Sequence, residues 1–333
     1  MAQIGDDFRV EASSNHGRIF GTIMTTRAHT VPRFYLGGFT AVESKERRDP
    51  FVWLGSLSTG MIERRSPKNI SIARGYYDGI GGFVDAEKSI ENHLSQIESE
   101  AAFAIPRFVA SPVAKGASPS SAIWRFLSWQ AARTPGWFKL EQEWVNDLML
   151  ESDTTESMIE PPPEGLERIA DRLPRSYWIE DPHTGQSREL SNLDELRAYR
   201  KRGWKWILST DDRLELLHMQ AWYFQARHFP RLSWTRLDTP DEEHFITSDR
   251  GVAWLVDGFA DTPPAGLRDQ TAQVVAPLTR KTALVGRYGT SKLRVTPREV
   301  NRFIAFAASD WIIGPTRDVV ELAIQDRNAG PTH

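Results

Sequence analysis

The sequence predicts an α+β fold with a mainly helical core and short antiparallel strands. In two long segments, residues 85–104 and 118–133, apolar residues recur at helical spacing. Short runs of strand-forming residues, of which Phe51–Leu57 is the clearest, are separated by turn residues. Twelve Trp and sixteen Phe among 333 residues supply the bulk of a large core.

Composition excludes several classes of protein. The chain has no cysteine, which rules out disulfides, thiolate nucleophiles and Cys-based zinc sites. A formal net charge of −3 argues against an extended basic face for duplex nucleic acid but leaves room for a local basic groove. The first residues lack the apolar core of a signal peptide, and no apolar run approaches the roughly 20 residues of a membrane helix. We therefore expect a soluble, cytoplasmic protein without a membrane partner.

The N-terminal part begins with a polar arm, residues 1–27. Pro32 fits the start of a short helix over 32–37, which Gly37 and Gly38 end. Phe51–Leu57 and the residues after Gly60 then predict a hairpin.

Two long helices follow. The first runs from an N-cap at Asp85 to about Ala104 and is ended by Pro106, with Glu91 and Glu98 at one edge of its apolar stripe. The second starts at Ser118-Pro119 and ends at Arg133, because Thr134-Pro135 disfavours further helix. Residues 138–150 predict a third helix.

Residues 151–165 are polar and include three consecutive prolines, which is typical of a linker. They divide the chain into an N-terminal lobe, 1–150, and a C-terminal lobe, 166–333. A single domain is the alternative.

The C-terminal part alternates helices and short strands. Thr296, Pro297 and Glu299 form a strong helix start, and Val300 and Ile304 lie on the buried side of that helix. Beyond Gly314 we expect a short, frayed helix. The remaining predicted elements are helices over 193–202 and 211–229 and strands over 232–237, 244–247, 252–256, 273–276 and 282–285.

The stretch Ala28–Thr40 holds the most concentrated set of polar and aromatic residues. His29 precedes the short helix and Arg33 lies inside it, so the two side chains and free backbone N–H groups can form an anion site. The alternative is structural: His29 caps the helix and Arg33 makes an ion pair.

This opening resembles a family of proteins of unknown function, family 4238, whose members begin with a His-x-x-Pro-x-x-Tyr-Leu-x-x-Phe pattern. Here the matching residues are His29, Pro32, Tyr35, Leu36 and Phe39. The resemblance spans roughly residues 28–313, and the order of its motifs makes it specific.

Later landmarks are also similar to that family. Its members have a helix with two Glu, a helix ending in Arg-Thr-Pro, a Ser-Asp motif, a Pro-Leu segment and an Asn-bearing helix. The matching positions are Glu91 and Glu98, Arg133-Thr134-Pro135, Phe245–Val252, Pro277-Leu278 and Asn301. This chain has Gly251 where the family usually has Pro. The family brings no established activity.

We hypothesise that these polar residues converge on one cleft. A histidine, an acid and two arginines together suit phosphoryl or phosphodiester chemistry without a bound metal or other cofactor. The protein would then be an intracellular hydrolase acting on a nucleotide or RNA, such as a nuclease-like toxin or defence effector. The predicted catalytic residues are His29, Glu98 and Asp249, and the predicted substrate-binding residues are Arg33, Arg133, Tyr35 and Asn301.

Two alternatives stay open. In the first, the polar set is a buried structural network, Glu98 with Arg133 and Asp249 with Arg33, in a non-catalytic binding or sensing protein. In the second, His29, Glu98 and Asp249 hold a metal ion. The motifs of P-loop, Rossmann, α/β-hydrolase and His-Glu-x-x-His proteins do not occur.

Overall fold

The fold is mixed α and β, as predicted, with every strand pair antiparallel in the part of the chain described. It was obtained as a computed structural model. The described residues are 27–44, 46–74, 84–111, 119–134, 177–190, 193–207, 217, 221, 229–256, 259–261, 273–287 and 295–330.

The Ala28–Thr40 stretch forms a strand and a short helix. Strand β1 (Arg27–His29) pairs with a strand further along the chain, Ile72–Arg74, which is β4 in chain order. Helix α1 (Arg33–Gly37) follows, with Pro32 as its N-cap and Gly38 as its C-cap. The predicted helix is confirmed, displaced by one residue because Pro32 keeps an extended ψ.

A four-stranded sheet joins distant parts of the chain. Its strand order is β3 (Ile62–Arg65), β2 (Val52–Ser56), β14 (Trp311–Gly314) and β9 (Thr247–Ser248). The β2–β3 hairpin was predicted. Strand β14 was not predicted, although it lies between the hairpin and the Ser-Asp motif.

A five-stranded sheet provides much of the core. Its strand order is β11 (Phe259–Asp261), β10 (Ala253–Val256), β12 (Gln273–Pro277), β13 (Thr282–Arg287) and β8 (Ser233–Asp238). Strands β12 and β13 are buried along nearly their whole length, so both faces of the sheet are covered at these two strands.

The two long helices pack against each other. Helix α2 spans Val84–Ala110 and α3 spans Ser121–Ala132. The prediction that Pro106 ends the first helix was wrong: Pro106 is exposed inside α2. A proline removes only its own N–H bond and can be accommodated by a bend on the solvent side. Arg236 of β8 then donates to the carbonyls of Phe108, Val109 and Ser111, which satisfies the last turn.

Two further helices cover the sheets. Helix α5 (Pro297–Ala307) has the predicted capping box and packs on β9, β10, β11 and β12. Helix α6 (Arg317–Asn328) is capped by Thr316 and packs on β14, β2 and β3. The expectation of a short, frayed tail was therefore wrong, because α6 buries Val320 and Ala323 against the four-stranded sheet.

A smaller unit consists of one helix on three strands. These are β5 (Tyr177–Glu180), β6 (Ser187–Leu190), β7 (Lys205–Ile207) and α4 (Leu193–Lys201). The helix confirms the prediction for 193–202. Ile179 and Leu190 are buried here and do not belong to the main core cluster.

The main core draws on both predicted lobes and on sheets as well as helices. Tyr35 and Phe126 belong to the same cluster as Phe245, Val274 and Ile312. The linker at 151–165, the helix at 138–150 and the N-terminal arm up to residue 26 lie outside the described residues. The predicted helix over 211–229 is described only at its buried residues Leu217 and Ala221 and at its last residue, Phe229. Among the described helices, none has the length and hydrophobicity to cross a bilayer.

Candidate functional site

Tyr35 lies at the centre of the core. Helix α1 turns its ring inward against Phe39 and Phe126, and 2% of the residue is exposed. The phenol donates to the carbonyl of Pro277 at 2.6 Å, with the Gly251 carbonyl at 3.3 Å and the Thr247 hydroxyl at 3.0 Å. Burial raises the pKa of Tyr35 well above its usual value, so the phenol stays protonated.

Arg133 caps the C-terminus of α3 and is 1% exposed. Its Nη1 donates to Glu98 Oε1 of α2 at 2.7 Å, and its Nε and Nη2 donate to Gln130 Oε1 at 3.3 and 2.9 Å. Gln130 Nε2 in turn donates to the carbonyl of Thr30 at 3.2 Å. The guanidinium therefore connects α2 and α3 to the segment between β1 and α1.

Gly251 joins these two groups of contacts. A Cβ atom there would lie 3.2 Å from Gln130 Cγ and 3.6 Å from the Tyr35 hydroxyl oxygen. The φ of Gly251 is +70°, in the left-handed region. A proline, whose ring holds φ at about −65°, does not reach that region. The glycine that departs from the family pattern is thus required by the conformation of this loop.

We call this assembly the motif junction. It brings together residues from five of the motifs recognised in the sequence, and the hydrogen bonds described above join them to one another. Its members are Thr30, Tyr35, Glu98, Gln130, Arg133, Thr247, Gly251 and Pro277.

Asp249 lies beside the junction and is 2% exposed. Its two carboxylate oxygens accept from the backbone N–H of Ser309 at 3.0 and 3.2 Å, at the end of α5. Burial raises the pKa of Asp249 to about 6, while the N–H of Ser309 opposes the shift. The carboxylate therefore fixes the chain between α5 and β14.

Asn301 is half-buried on α5 and makes two bonds to a single segment. Its Oδ1 accepts from the N–H of Ile246 at 3.0 Å, and its Nδ2 donates to the carbonyl of His244 at 2.8 Å. This is the geometry of a side chain that mimics a strand partner, and it positions the residues leading into β9.

His29 and Arg33 differ from the other predicted site residues. His29 ends β1, and its buried Nε2 has no hydrogen-bond partner. Arg33 is exposed, and its charge helps hold the pKa of Asp49 below its usual value, after the larger effects of Lys68 and Ser66.

The structural alternative is therefore formed in part. The predicted Glu98–Arg133 ion pair is present, with 28% of the Glu98 side chain exposed. Within the described residues, Arg33 and Asp249 make no ion pair, since Asp249 binds backbone amides instead. No group of three His, Asp or Glu side chains in the described part is arranged to hold a metal, so His29, Glu98 and Asp249 do not form such a site.

Sequence reasoning missed Gln130 and Thr247 as members of the junction. Gln130 follows Ile123 and Leu127 at helical spacing in the sequence, and an amide on such an apolar side indicates a buried hydrogen bond. Thr247 gave no such signal, because a threonine in a short strand is common.

Comparison with known proteins agrees with the sequence motifs. A family model described as protein of unknown function (DUF4238) matches residues 27–318, nearly the whole chain. Neither the comparison with curated proteins nor the comparison with solved structures found a match. The match confirms the resemblance seen in the sequence, and the chain belongs to the DUF4238 family of proteins of unknown function.

Proposed function

We propose that this is a non-catalytic binding or sensing protein in which the family's polar residues hold the core together. The observation that carries the proposal is the burial of Tyr35, Arg133 and Asp249, each at most 2% exposed. A catalytic group must reach its substrate, whereas these side chains are bonded to protein groups. A cytoplasmic location is part of the same proposal.

A second candidate is an enzyme acting on a phosphate-containing substrate, a nucleotide or RNA, as a nuclease-like toxin or defence effector would. His29 is the residue that favours it: its buried Nε2 has no hydrogen-bond partner, and an imidazole that a substrate reached could act as general acid or base. Glu98 also favours it, since part of its side chain stays exposed beside Arg133.

Two pairs of variants separate the candidates. Tyr35→Phe removes a buried phenol and is matched by Tyr199→Phe, whose hydroxyl accepts from Arg188 on an exposed surface. His29→Ala is matched by His183→Ala, an exposed turn residue. Each variant is compared with the wild type in urea unfolding and in hydrolysis of RNA, nucleotides and bis(p-nitrophenyl) phosphate.

The binding proposal predicts no hydrolysis and a loss of about 1–3 kcal/mol in Tyr35→Phe, because the Pro277 carbonyl would lose its donor. Tyr199→Phe should change stability much less. Turnover by the wild type that His29→Ala abolishes without a change in unfolding, and that His183→Ala retains, would establish the enzyme instead.

A further inference from the structure

We infer that an arginine–aromatic surface on the β2–β3 hairpin and the segment just before it, formed by Arg47, Phe51, Trp53 and Arg64, binds single-stranded nucleic acid. The inference rests on the proposed binding function and gives it a surface and a class of partner. This surface is separate from the motif junction and contains none of the predicted catalytic residues.

The two arginines lie over aromatic rings at cation–π distance. The guanidinium carbon of Arg64 lies 4.9 Å from the centroids of both Phe51 and Trp53. The register of the hairpin fixes this contact, because Trp53 is directly opposite Arg64. Arg47 approaches the Phe51 ring at 5.5 Å, so the same ring is shared by both cations.

The surface concentrates positive charge in an acidic protein. Residues 27–74 contain nine Lys or Arg and four Asp or Glu, while the whole chain has a formal charge of −3. Arg65 and Lys68 are paired with Glu63 and Asp49. Arg47 and Arg64 are exposed, and neither forms an ion pair with any described residue. Two neighbouring cations without a carboxylate partner favour an anionic ligand.

The contact of both cations with aromatic rings points to the kind of anion. A guanidinium that covers a ring with one face offers its other face to a nucleobase, and its N–H edge can donate to phosphate in pairs. Bases can stack in this way only when they are unpaired, as in a single strand. A lipid headgroup or an acidic peptide would pair with the positive charges but has no nucleobase to stack on a guanidinium. Strand β3 is the edge strand of its sheet, and its residues Arg64 and Arg65 are exposed.

The test measures binding of a fluorescein-labelled, mixed-sequence 12-nucleotide RNA by anisotropy. We expect Arg47→Gln and Arg64→Gln each to weaken binding by about tenfold, which corresponds to one stacked contact. Arg64→Lys keeps the charge but loses the plane, and should also weaken binding. The matched control is Arg107→Gln, which removes another exposed arginine stacked on an aromatic ring, Phe103, on α2. It should bind like the wild type.

Three results would overturn the inference. They are the absence of RNA binding by the wild type, equal weakening by Arg107→Gln, and a higher affinity for duplex RNA or for phosphatidylserine vesicles than for the single strand. Thermal melting of each variant confirms that it is folded. Cleavage of the labelled RNA by the wild type would contradict the non-catalytic function while leaving the binding surface in place, so the two proposals fail separately.

Discussion

Asp249 is a carboxylate whose environment disfavours its charge. The folded protein surrounds it almost completely, and the backbone N–H of Ser309 only partly replaces the lost water. Asp310 adds a like charge nearby, whereas Arg250 acts in the opposite direction. The balance raises the pKa of Asp249 from 3.8 to about 6, so this residue makes stability depend on pH.

Between pH 4 and pH 6 the folded state binds more protons at Asp249 than the unfolded state does. The contribution of this carboxyl to the free energy of unfolding is thus fully present below its unfolded pKa of 3.8. It is lost as pH rises through the folded pKa of about 6. Asp249→Asn removes that dependence. The free energy of unfolding of the variant minus that of the wild type should rise by about 1.4 kcal/mol per pH unit across this window.

Urea unfolding from pH 4 to pH 7 measures this difference. Asp181→Asn is the control, because the N–H of His183 holds the pKa of Asp181 below its usual value, so this carboxyl is ionised in both states over most of this window and its difference should change much less with pH. A flat difference for Asp249→Asn would show that the carboxylate is hydrated.

At the scale of elements, two glycines determine how closely α6 approaches its sheet. A Cβ on Gly55 of β2 would lie 2.7 Å from Val320 Cγ1, and a Cβ on Gly314 of β14 would lie 2.7 Å from Val319 Cγ1. Gly55 is paired with Ile312 of β14, and Gly314 is paired with Trp53 of β2, so the two glycines are diagonal neighbours on adjacent strands. The helix can approach closely at these two positions because neither glycine has a side chain.

Gly55→Ala should therefore cost about 1–3 kcal/mol in unfolding free energy, because the added methyl group displaces Val320 or shifts α6. Gly37→Ala is the matched control, since a Cβ on that helical glycine meets nothing within 4 Å. We expect it to be neutral or slightly stabilising, because alanine restricts the unfolded chain. Equal effects of the two substitutions in thermal unfolding would disprove the close packing.

Elements with local signals were predictable from the sequence, and those fixed by distant partners were not. Thr296 and Glu299 lie three residues apart and cap each other, so α5 could be predicted from its first turn. Strand β14 is four residues long and exists because β2 and β9 pair with it, which no local pattern records. Tertiary context also kept α2 helical beyond Pro106.

The candidate site shows the same division. The motifs supplied a set of polar residues, and the Glu98–Arg133 ion pair, which was part of the structural alternative, is present. The depth of Arg133 was not predictable, because arginine is rarely buried unless partners from several elements meet it. Catalytic roles for His29, Glu98 and Asp249 stay predictions.

At the scale of the whole molecule, the motif junction ties together segments from both halves of the chain. Thr30 and Tyr35 belong to the N-terminal segment, and Glu98 and Arg133 belong to the two long helices. Thr247 lies in the four-stranded sheet and Pro277 lies in the five-stranded sheet. We therefore regard the junction as the contact that makes these parts one core.

The most direct test of this account is a double-mutant cycle on Glu98 and Arg133 in urea unfolding. Arg133→Met leaves the partly exposed Glu98 and the buried Gln130 Oε1 without their donor, and we expect a loss of about 1–3 kcal/mol. Glu98→Gln with Arg133→Met should cost less than the two single losses added together. Arg133→Met with wild-type stability and abolished RNA hydrolysis would contradict the structural role and make the residue part of an active site.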